Sequence, residues 1–332
     1  MKDEKQDLVS QIVKAVLLVI SCFYGIIVKA HHFFYKVNLL KSYKPDIFVI
    51  SVGNITLGGT GKTPFSIMLA KKMAKKGKLP AVLIRGYGED EWKVLEESLK
   101  GDGVNVLVGR DRIEKAREAE RLGRQSIILD DGFQHIRLRR DLDIALIDAT
   151  DPFGNRHLFP RGILRENISA LKRADAIVLT KLDKVGSGAS VLREEVKRIA
   201  PGKTIVEAMH APRRLVGLDG SMKDKSYIDA KKVCVLSAIC DPTYFRHSVE
   251  KTGALVGLEF IFPDHYSYRK SDIDMIFEKC RQEKIYTVII TEKDAVKIRG
   301  LVPDGANVNV LALAIELEIK EGEDELDALL GS

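Results

Sequence analysis

Short apolar runs separated by stretches of helical spacing recur along most of this chain. Residues 47–50, 81–84, 104–108, 126–129, 144–147 and 176–179 are brief and almost unbroken by polar positions. Such runs are too short for buried helices and too uniformly apolar for half-exposed strands. Residues 64–76, 91–99 and 111–122 lie between them with helical spacing. This order predicts an α/β fold with a parallel sheet covered on both faces. A second alternation begins at Val233, with strands over 233–236, 256–262, 286–290 and 308–313 and helices over 243–252, 271–283 and 294–297. Residues 205–218 read as short β segments split by Ala211-Pro212-Arg213-Arg214, and 321–330 as a closing helix.

The join between the first strand and the first helix is the most informative stretch. Residues 51–64 read Ser-Val-Gly-Asn-Ile-Thr-Leu-Gly-Gly-Thr-Gly-Lys-Thr-Pro. A glycine-rich turn entering a helix aims backbone N–H groups and the positive end of the helix dipole at one point, where a phosphate binds. Thr56, Leu57, Gly58, Gly59, Thr60, Gly61, Lys62 and Thr63 are therefore the candidate phosphate cradle, with Lys62 and Thr63 reaching a terminal phosphate and Mg²⁺. Thr56 stands where the usual G-x-x-x-x-G-K-[ST] pattern has its first glycine. The expected architecture is a P-loop NTPase-like domain (45–203), a β-ribbon linker (204–232) and a second, smaller α/β domain (233–332), preceded by an N-terminal region (1–44).

The chain has 332 residues, 45% hydrophobic and 30% charged, which places it among globular proteins. Its net charge of +6 suits an acidic ligand or an anionic membrane surface, and no basic stripe with interleaved aromatics points to nucleic acid. Cys22, Cys234, Cys240 and Cys280 form no C-x-x-C pair and fit a reducing compartment. Residues 15–28 are apolar all round, bounded by Lys14 and Lys29 and followed by an aromatic and basic stretch. At 14 residues the run falls short of a comfortable membrane span, so it predicts a monotopic helix in the cytoplasmic leaflet. A cleaved signal peptide and a helix buried in the protein's own core are the alternatives.

Residues 126–131, Ser-Ile-Ile-Leu-Asp-Asp, form a strand that ends in two carboxylates. An acid at this place beside a phosphate loop holds Mg²⁺, which makes Asp130 the metal candidate together with Thr63 and leaves Asp131 to support metal or phosphates. Arg137, Arg139, Arg140, Arg161, Arg165, Lys172 and Arg173 follow, a reservoir of phosphate-binding forks and surface charge. Thr180-Lys181-Leu182-Asp183 is a weak relative of the guanine-reading N-K-x-D loop. His265 lies just past a strand of the second alternation, equally suited to a hydrogen-bonded loop and to catalysis.

These motifs occur together with Arg85-Gly-Tyr-Gly88, Val108-Gly-Arg-Asp-Arg112, Leu129-Asp-Asp-Gly-Phe-Gln-His135, Leu164-Arg-Glu166, Phe262-Pro-Asp-His-Tyr266 and Thr291-Glu-Lys-Asp294. In this order they resemble the tetraacyldisaccharide 4'-kinase family of lipid A synthesis. The resemblance implies transfer of the γ-phosphate of ATP, with Mg²⁺, to the 4'-hydroxyl of a membrane-embedded acylated glucosamine disaccharide 1-phosphate. It implies an enzyme at the cytoplasmic face of the inner membrane of a Gram-negative bacterium. It also matches Asp90 to the family's catalytic aspartate across a gap, because Glu89-Asp90-Glu91-Trp92 follows Gly88 at once. In that scheme Asp90 takes the proton from the sugar hydroxyl, His265 orients it, Lys62 and Arg165 neutralise charge, and the domains close over the substrate. A nucleotide-driven switch or metallochaperone-like assembly factor is the alternative from another class.

Overall fold

The computed structural model describes residues 8–86, 89–303, 305 and 307–331, apart from the side chains of 89 and 90. In chain order the elements are α1 (Leu8–Lys36), β1 (Phe48–Asn54), α2 (Lys62–Lys75), β2 (Pro80–Ile84), α3 (Glu89–Leu99), β3 (Asn105–Val108), α4 (Arg112–Arg121), β4 (Ser126–Asp130), β5 (Leu142–Asp148) and β6 (Ala176–Thr180). They continue as α5 (Gly188–Ile199), β7 (Thr204–Gly217), β8 (Met222–Asp224), β9 (Lys232–Ser237), α6 (Pro242–Glu250), β10 (Leu255–Ile261), α7 (Lys270–Gln282), β11 (Thr287–Thr291), α8 (Glu292–Ile298), β12 (Asn309–Glu321) and α9 (Glu323–Leu329). The mixed α/β fold with parallel strands is the one the apolar runs predict.

Two compact units divide the chain: residues 1–85, 101–209 and 319–332 form the first, and 86–100 with 210–318 the second. In the first unit the strands run β7-β6-β5-β1-β4-β2-β3, with parallel neighbours throughout. Every residue of β2, β4 and β6 is buried, as a sheet covered on both faces demands. One core gathers Ile55, Phe133, Ile147, Leu164, Ile177 and Leu179, and another Val49, Leu83, Ile127, Leu129 and Leu138. The register pairs Val52 of β1 with Asp130 of β4. The carboxyl ends of these neighbouring strands therefore emerge side by side, the place where open parallel sheets bind ligands.

In the second unit β10, β9, β11 and β12 run parallel in that order, and β8 pairs antiparallel with the end of β7. β7 is a single 14-residue strand, where the sequence suggested separate segments split at Pro212. Proline's fixed φ is compatible with extended backbone and removes only one donor, so it need not end a strand. Two further segments lie outside the linear division expected from sequence. Residues 86–100, including α3, group with the second unit, where Glu91 meets Lys293 at 2.9 Å and Glu97 meets Arg299 at 3.0 Å. The tail returns to the first unit, where Lys72 reaches Glu323 at 2.6 Å and Asp327 at 2.9 Å.

α1 is 29 residues long, about twice the apolar run that marks it, and is long and apolar enough to cross a membrane. The length objection drawn from 15–28 therefore does not hold. Nor is α1 a core helix: Phe23 and Ile27 keep 64% and 67% of their surface exposed, and only Ser21 and Gly25 are buried among its residues. Those two lie on one stripe, which packs against residues 158–161 of the first unit.

Candidate active site

The phosphate loop leaves β1 at Asn54 and enters α2 at Lys62. Gly58 (φ 110°) and Gly61 (φ 87°) hold left-handed backbone that a side chain would strain, which is why this turn needs glycine there. Gly61 caps α2, whose Phe65, Ser66, Leu69, Ala70 and Met73 form the buried face, so the helix N-terminus is fixed on the sheet. Asn54 Nδ2 donates to Thr60 Oγ1 at 3.1 Å, and Thr180 Oγ1 donates to the Thr60 carbonyl at 3.0 Å. The loop is thus braced from both flanks. Lys181, next along, pairs with Asp148.

Asp130 ends β4 almost fully buried, and its carboxylate accepts from Ser66 Oγ at 2.8 Å and Thr63 Oγ1 at 3.3 Å. Arg112 Nη2 donates to its carbonyl at 3.1 Å. Asp131 follows in left-handed backbone (φ 52°), and its carboxylate meets different partners. Arg165 grips Asp131 with both arms, Nη1 at 2.7 Å and Nη2 at 3.2 Å, and Nη1 also donates to Asn54 Oδ1 at 3.2 Å. Lys62 Nζ stands 3.7 Å from Asp131 Oδ1. Burial raises the Asp131 carboxyl, but the Lys62 and Arg165 charges outweigh it and its pKa falls below the ordinary value. Lys62, Thr63, Asp130, Asp131 and Arg165 thus come together at the carboxyl ends of neighbouring strands, drawn from three separate parts of the sequence.

Arg165 is placed by its own loop. Its N–H donates to the Ile55 carbonyl at 2.7 Å, Leu57 N–H donates to Ile163 at 2.7 Å, and Thr56 bridges Leu164. Beside it, buried Glu166 accepts both arms of Arg173 at 3.0 Å and Gln134 Nε2 at 3.0 Å. Gln134 Nε2 also reaches the Asn54 carbonyl at 2.8 Å, while Arg173 stacks 4.1 Å over the Phe133 ring. Arg140 pairs with Asp143 at 2.6 Å. Among the downstream cations, Arg140 and Arg173 are therefore structural, and Arg165 alone grips an acid at the end of β4. Ser66 was not singled out in the sequence; Asn54, Arg112, Gln134 and Glu166 were quoted only inside motifs, and Arg173 only among the downstream cations. Ser66 was discoverable, three residues after Thr63 on the same face of a helix, whereas the others reveal themselves only through long-range contacts.

His265 lies in the second unit, past β10, with φ 59° and an exposed side chain, Nε2 3.8 Å from Asp264. Its loop is pinned by Phe262 and Tyr266 rings 4.7 Å apart and by Tyr268, whose hydroxyl donates to buried Asp294 at 3.1 Å. Asp90 lies in α3 of the same unit, and its side chain is outside the described residues.

The sequence profile of the family described as tetraacyldisaccharide-1-P 4'-kinase matches residues 13–332. The chain belongs to the tetraacyldisaccharide 4'-kinase family. The family's enzyme of that name from Anaeromyxobacter dehalogenans (strain 2CP-C) is 35% identical over 320 residues, covering 89% of this chain and 84% of that one. The one from Syntrophus aciditrophicus (strain SB) is 36% identical over 343 residues, covering 92% and 89%. Among solved structures, LpxK from Aquifex aeolicus, in its "apo" form in complex with ATP, matches with a TM-score of 0.73 at 28% identity, covering 96% of this chain and 98% of that one. As a member of this kinase family the chain is an ATP-binding phosphotransferase, as the motif order led us to expect, and the nucleotide-driven switch is not favoured.

Proposed function

We propose that the chain moves the γ-phosphate of ATP to the 4'-hydroxyl of an acylated glucosamine disaccharide 1-phosphate. The observation that carries this reading is the profile match over 13–332, supported by a phosphate loop beside the Lys62, Asp131 and Arg165 cluster. Residues 56–63 cradle the triphosphate through backbone N–H groups. Transfer is loose and largely dissociative, so catalysis is mainly positioning and neutralisation of charge, the roles of Lys62 and Arg165. Asp131 keeps the two cations in place.

Thr63 and Asp130 would hold Mg²⁺. The donor set fits: a hydroxyl and a buried carboxylate, both oxygen, stand 3.3 Å apart at the start of α2. Mg²⁺ commonly binds through one or two protein oxygens, with water and phosphates completing its shell. Among the described residues no three His, Cys, Asp or Glu side chains cluster into a fuller cage. When bound, the ion neutralises charge on the β- and γ-phosphates. Asp90 takes the proton of the acceptor hydroxyl and His265 orients that hydroxyl, roles resting on the family motifs.

The exposed apolar side of α1 supports a monotopic attachment to the cytoplasmic face of the inner membrane, where the lipid acceptor resides. Its other stripe is hydrogen-bonded to the protein, so lipid cannot surround the helix. The test is incubation with γ-labelled ATP and lipid A disaccharide in detergent. Label on the lipid is the expected result. Label found only as free phosphate would refute the assignment.

A further inference from the structure

The inner stripe of α1 meets the loop that carries Arg165. Ser21 Oγ donates to the Leu158 carbonyl at 2.8 Å and accepts from the Arg161 N–H at 3.0 Å. Gly25 allows close approach, since a Cβ there would come within 2.7 Å of Leu158 Cδ1. Tyr24 OH donates to the carbonyl of Arg165 at 2.9 Å. Further along, His32 Nε2 lies 3.3 Å from Glu166 Oε2. These positions fall three, four and eleven residues after Ser21, a single face of the helix.

The other side of the same loop is tied to the phosphate site. Arg165 is held through its N–H by the Ile55 carbonyl and through its carbonyl by the Tyr24 hydroxyl. Both peptide groups flanking its Cα are therefore fixed, the first by Ile55 at the start of the phosphate loop and the second chiefly by the helix with the exposed apolar face, with a longer bond of 3.4 Å from Glu166 N–H to Ile55. Its guanidinium then reaches Asp131 at 2.7 Å. Glu166 is braced in parallel, by His32 from α1 and by Gln134 and Arg173 from the first unit's interior. One residue separates α1 from the cluster around Asp131.

We propose that α1 is a working part of the phosphoryl-transfer site as well as an attachment, with Tyr24 and His32 acting as positioning residues through Arg165 and Glu166. This rests on the kinase reading above. Removing the Tyr24 hydroxyl leaves the 165–166 peptide held only by the long bond of its Glu166 N–H to the Ile55 carbonyl, 3.4 Å, and displacements of about 1 Å at a site that works by orientation lower rates by up to about 100-fold. The apolar surface that meets lipid is untouched by that change. Loss of rate and loss of membrane binding are thereby separable.

The experiment compares full-length wild type, Tyr24→Phe, His32→Ala and His32→Gln in mixed micelles and on anionic phosphatidylglycerol vesicles. Tyr24→Phe is expected to lower kcat about 10-fold, with KM for ATP within about twofold and vesicle co-sedimentation unchanged. His32→Ala is expected to lower kcat similarly, and His32→Gln, which keeps a donor toward Glu166, to restore most of it. Because Tyr24 acts through Arg165, adding Tyr24→Phe to Arg165→Lys should cost little beyond the single Arg165→Lys change. Wild-type kcat in Tyr24→Phe overturns the proposal, as do multiplicative losses in the double variant. So does a loss of activity that tracks vesicle binding and disappears at saturating acceptor, which would make α1 an anchor alone. If wild type releases label only as free phosphate, the kinase reading fails separately, and the same variants are compared on that hydrolysis rate.

Discussion

Replacing Arg165 with lysine keeps the charge and removes the fork. Arg165 makes two bonds to Asp131, at 2.7 and 3.2 Å, and one to Asn54 Oδ1 at 3.2 Å. Lysine's point charge can retain one of them, so at least one charge-assisted bond and the link to Asn54 disappear. A hydrogen bond to a charged group contributes roughly 1.5 to 3 kcal/mol when well shielded. Here Arg165 and Asp131 are 25% and 39% exposed at the side chain, so about 1 to 2 kcal/mol is the reasonable share after screening. If that share is expressed in the transition state, kcat falls about 5- to 30-fold, since 1.36 kcal/mol is tenfold in rate. The assay is steady-state transfer of labelled phosphate to the lipid disaccharide, with thermal unfolding alongside. Alanine at the same position removes the charge as well and is expected to lose about 10²- to 10³-fold. Wild-type kcat in Arg165→Lys would refute the idea that the fork orients the site, and equal losses in the lysine and alanine variants would refute the part assigned to its charge.

Lys62→Ala is expected to remove nearly all transfer while leaving the unfolding midpoint almost unchanged, because Lys62 lies outside the core; both are read from the same labelled assay and a thermal melt. Asp130→Asn keeps the shape that Ser66 and Thr63 bond to, so it should fold normally yet lose about 10²-fold or more in rate, partly recovered by raised Mg²⁺; unaltered Mg²⁺ dependence would move the metal role elsewhere. Burial first, and then the charges of Arg112, Arg140, Arg137 and Arg85, push His135 down from 6.5 to about 4, so the folded protein binds this proton less readily than the unfolded chain. Its stabilisation is complete above pH 6.5 and is lost as pH falls toward about 4, a loss of about 2 kcal/mol after allowing for partial exposure that should be absent from denaturant melts of His135→Gln. If Asp90 and His265 act as a unit on the acceptor hydroxyl, each alanine variant should lower kcat by about 10²- to 10⁴-fold and the double variant little further.

Local chemistry was readable in the sequence wherever the interaction is local. Glycines at 58 and 61 announce a left-handed turn, and Asp130 announces a strand end, because both depend on neighbours within a few residues. Adjacency of β1 and β4 then follows from the wound topology, which delivers Lys62 to Asp131. Arg165 was different: its partner is 34 residues away and its loop pairs with residues more than 100 positions earlier, so no periodicity marks it and only the family resemblance singled it out. Glu166 and Gln134 likewise stood out only through the family motifs, and Arg173 only as one of several downstream cations. α1 misled in the opposite sense, since Lys14 and Lys29 lie within the helix yet bound the apolar run, and so hide the helix's true length. The excursion of residues 86–100 into the second unit is held by ion pairs to Lys293 of α8 and to Arg299 just after it, an arrangement that no window along the sequence can show.

The contact between Gly53 and Phe133 has an evolutionary consequence. A Cβ at position 53 would lie 2.6 Å from both Phe133 Cβ and its backbone nitrogen, and the Phe133 carbonyl is already claimed by Arg140 and Arg173. Neither partner can drift without the other, so the phosphate loop and the acidic turn behave as one inherited cassette. A chimera that took residues 48–63 from one homologue and 126–135 from another would succeed only where both parents carry glycine opposite the ring. Recombination within this enzyme should therefore tolerate crossovers between β6 and β7, beyond the partners of the loop and the turn, far better than crossovers between β1 and β4.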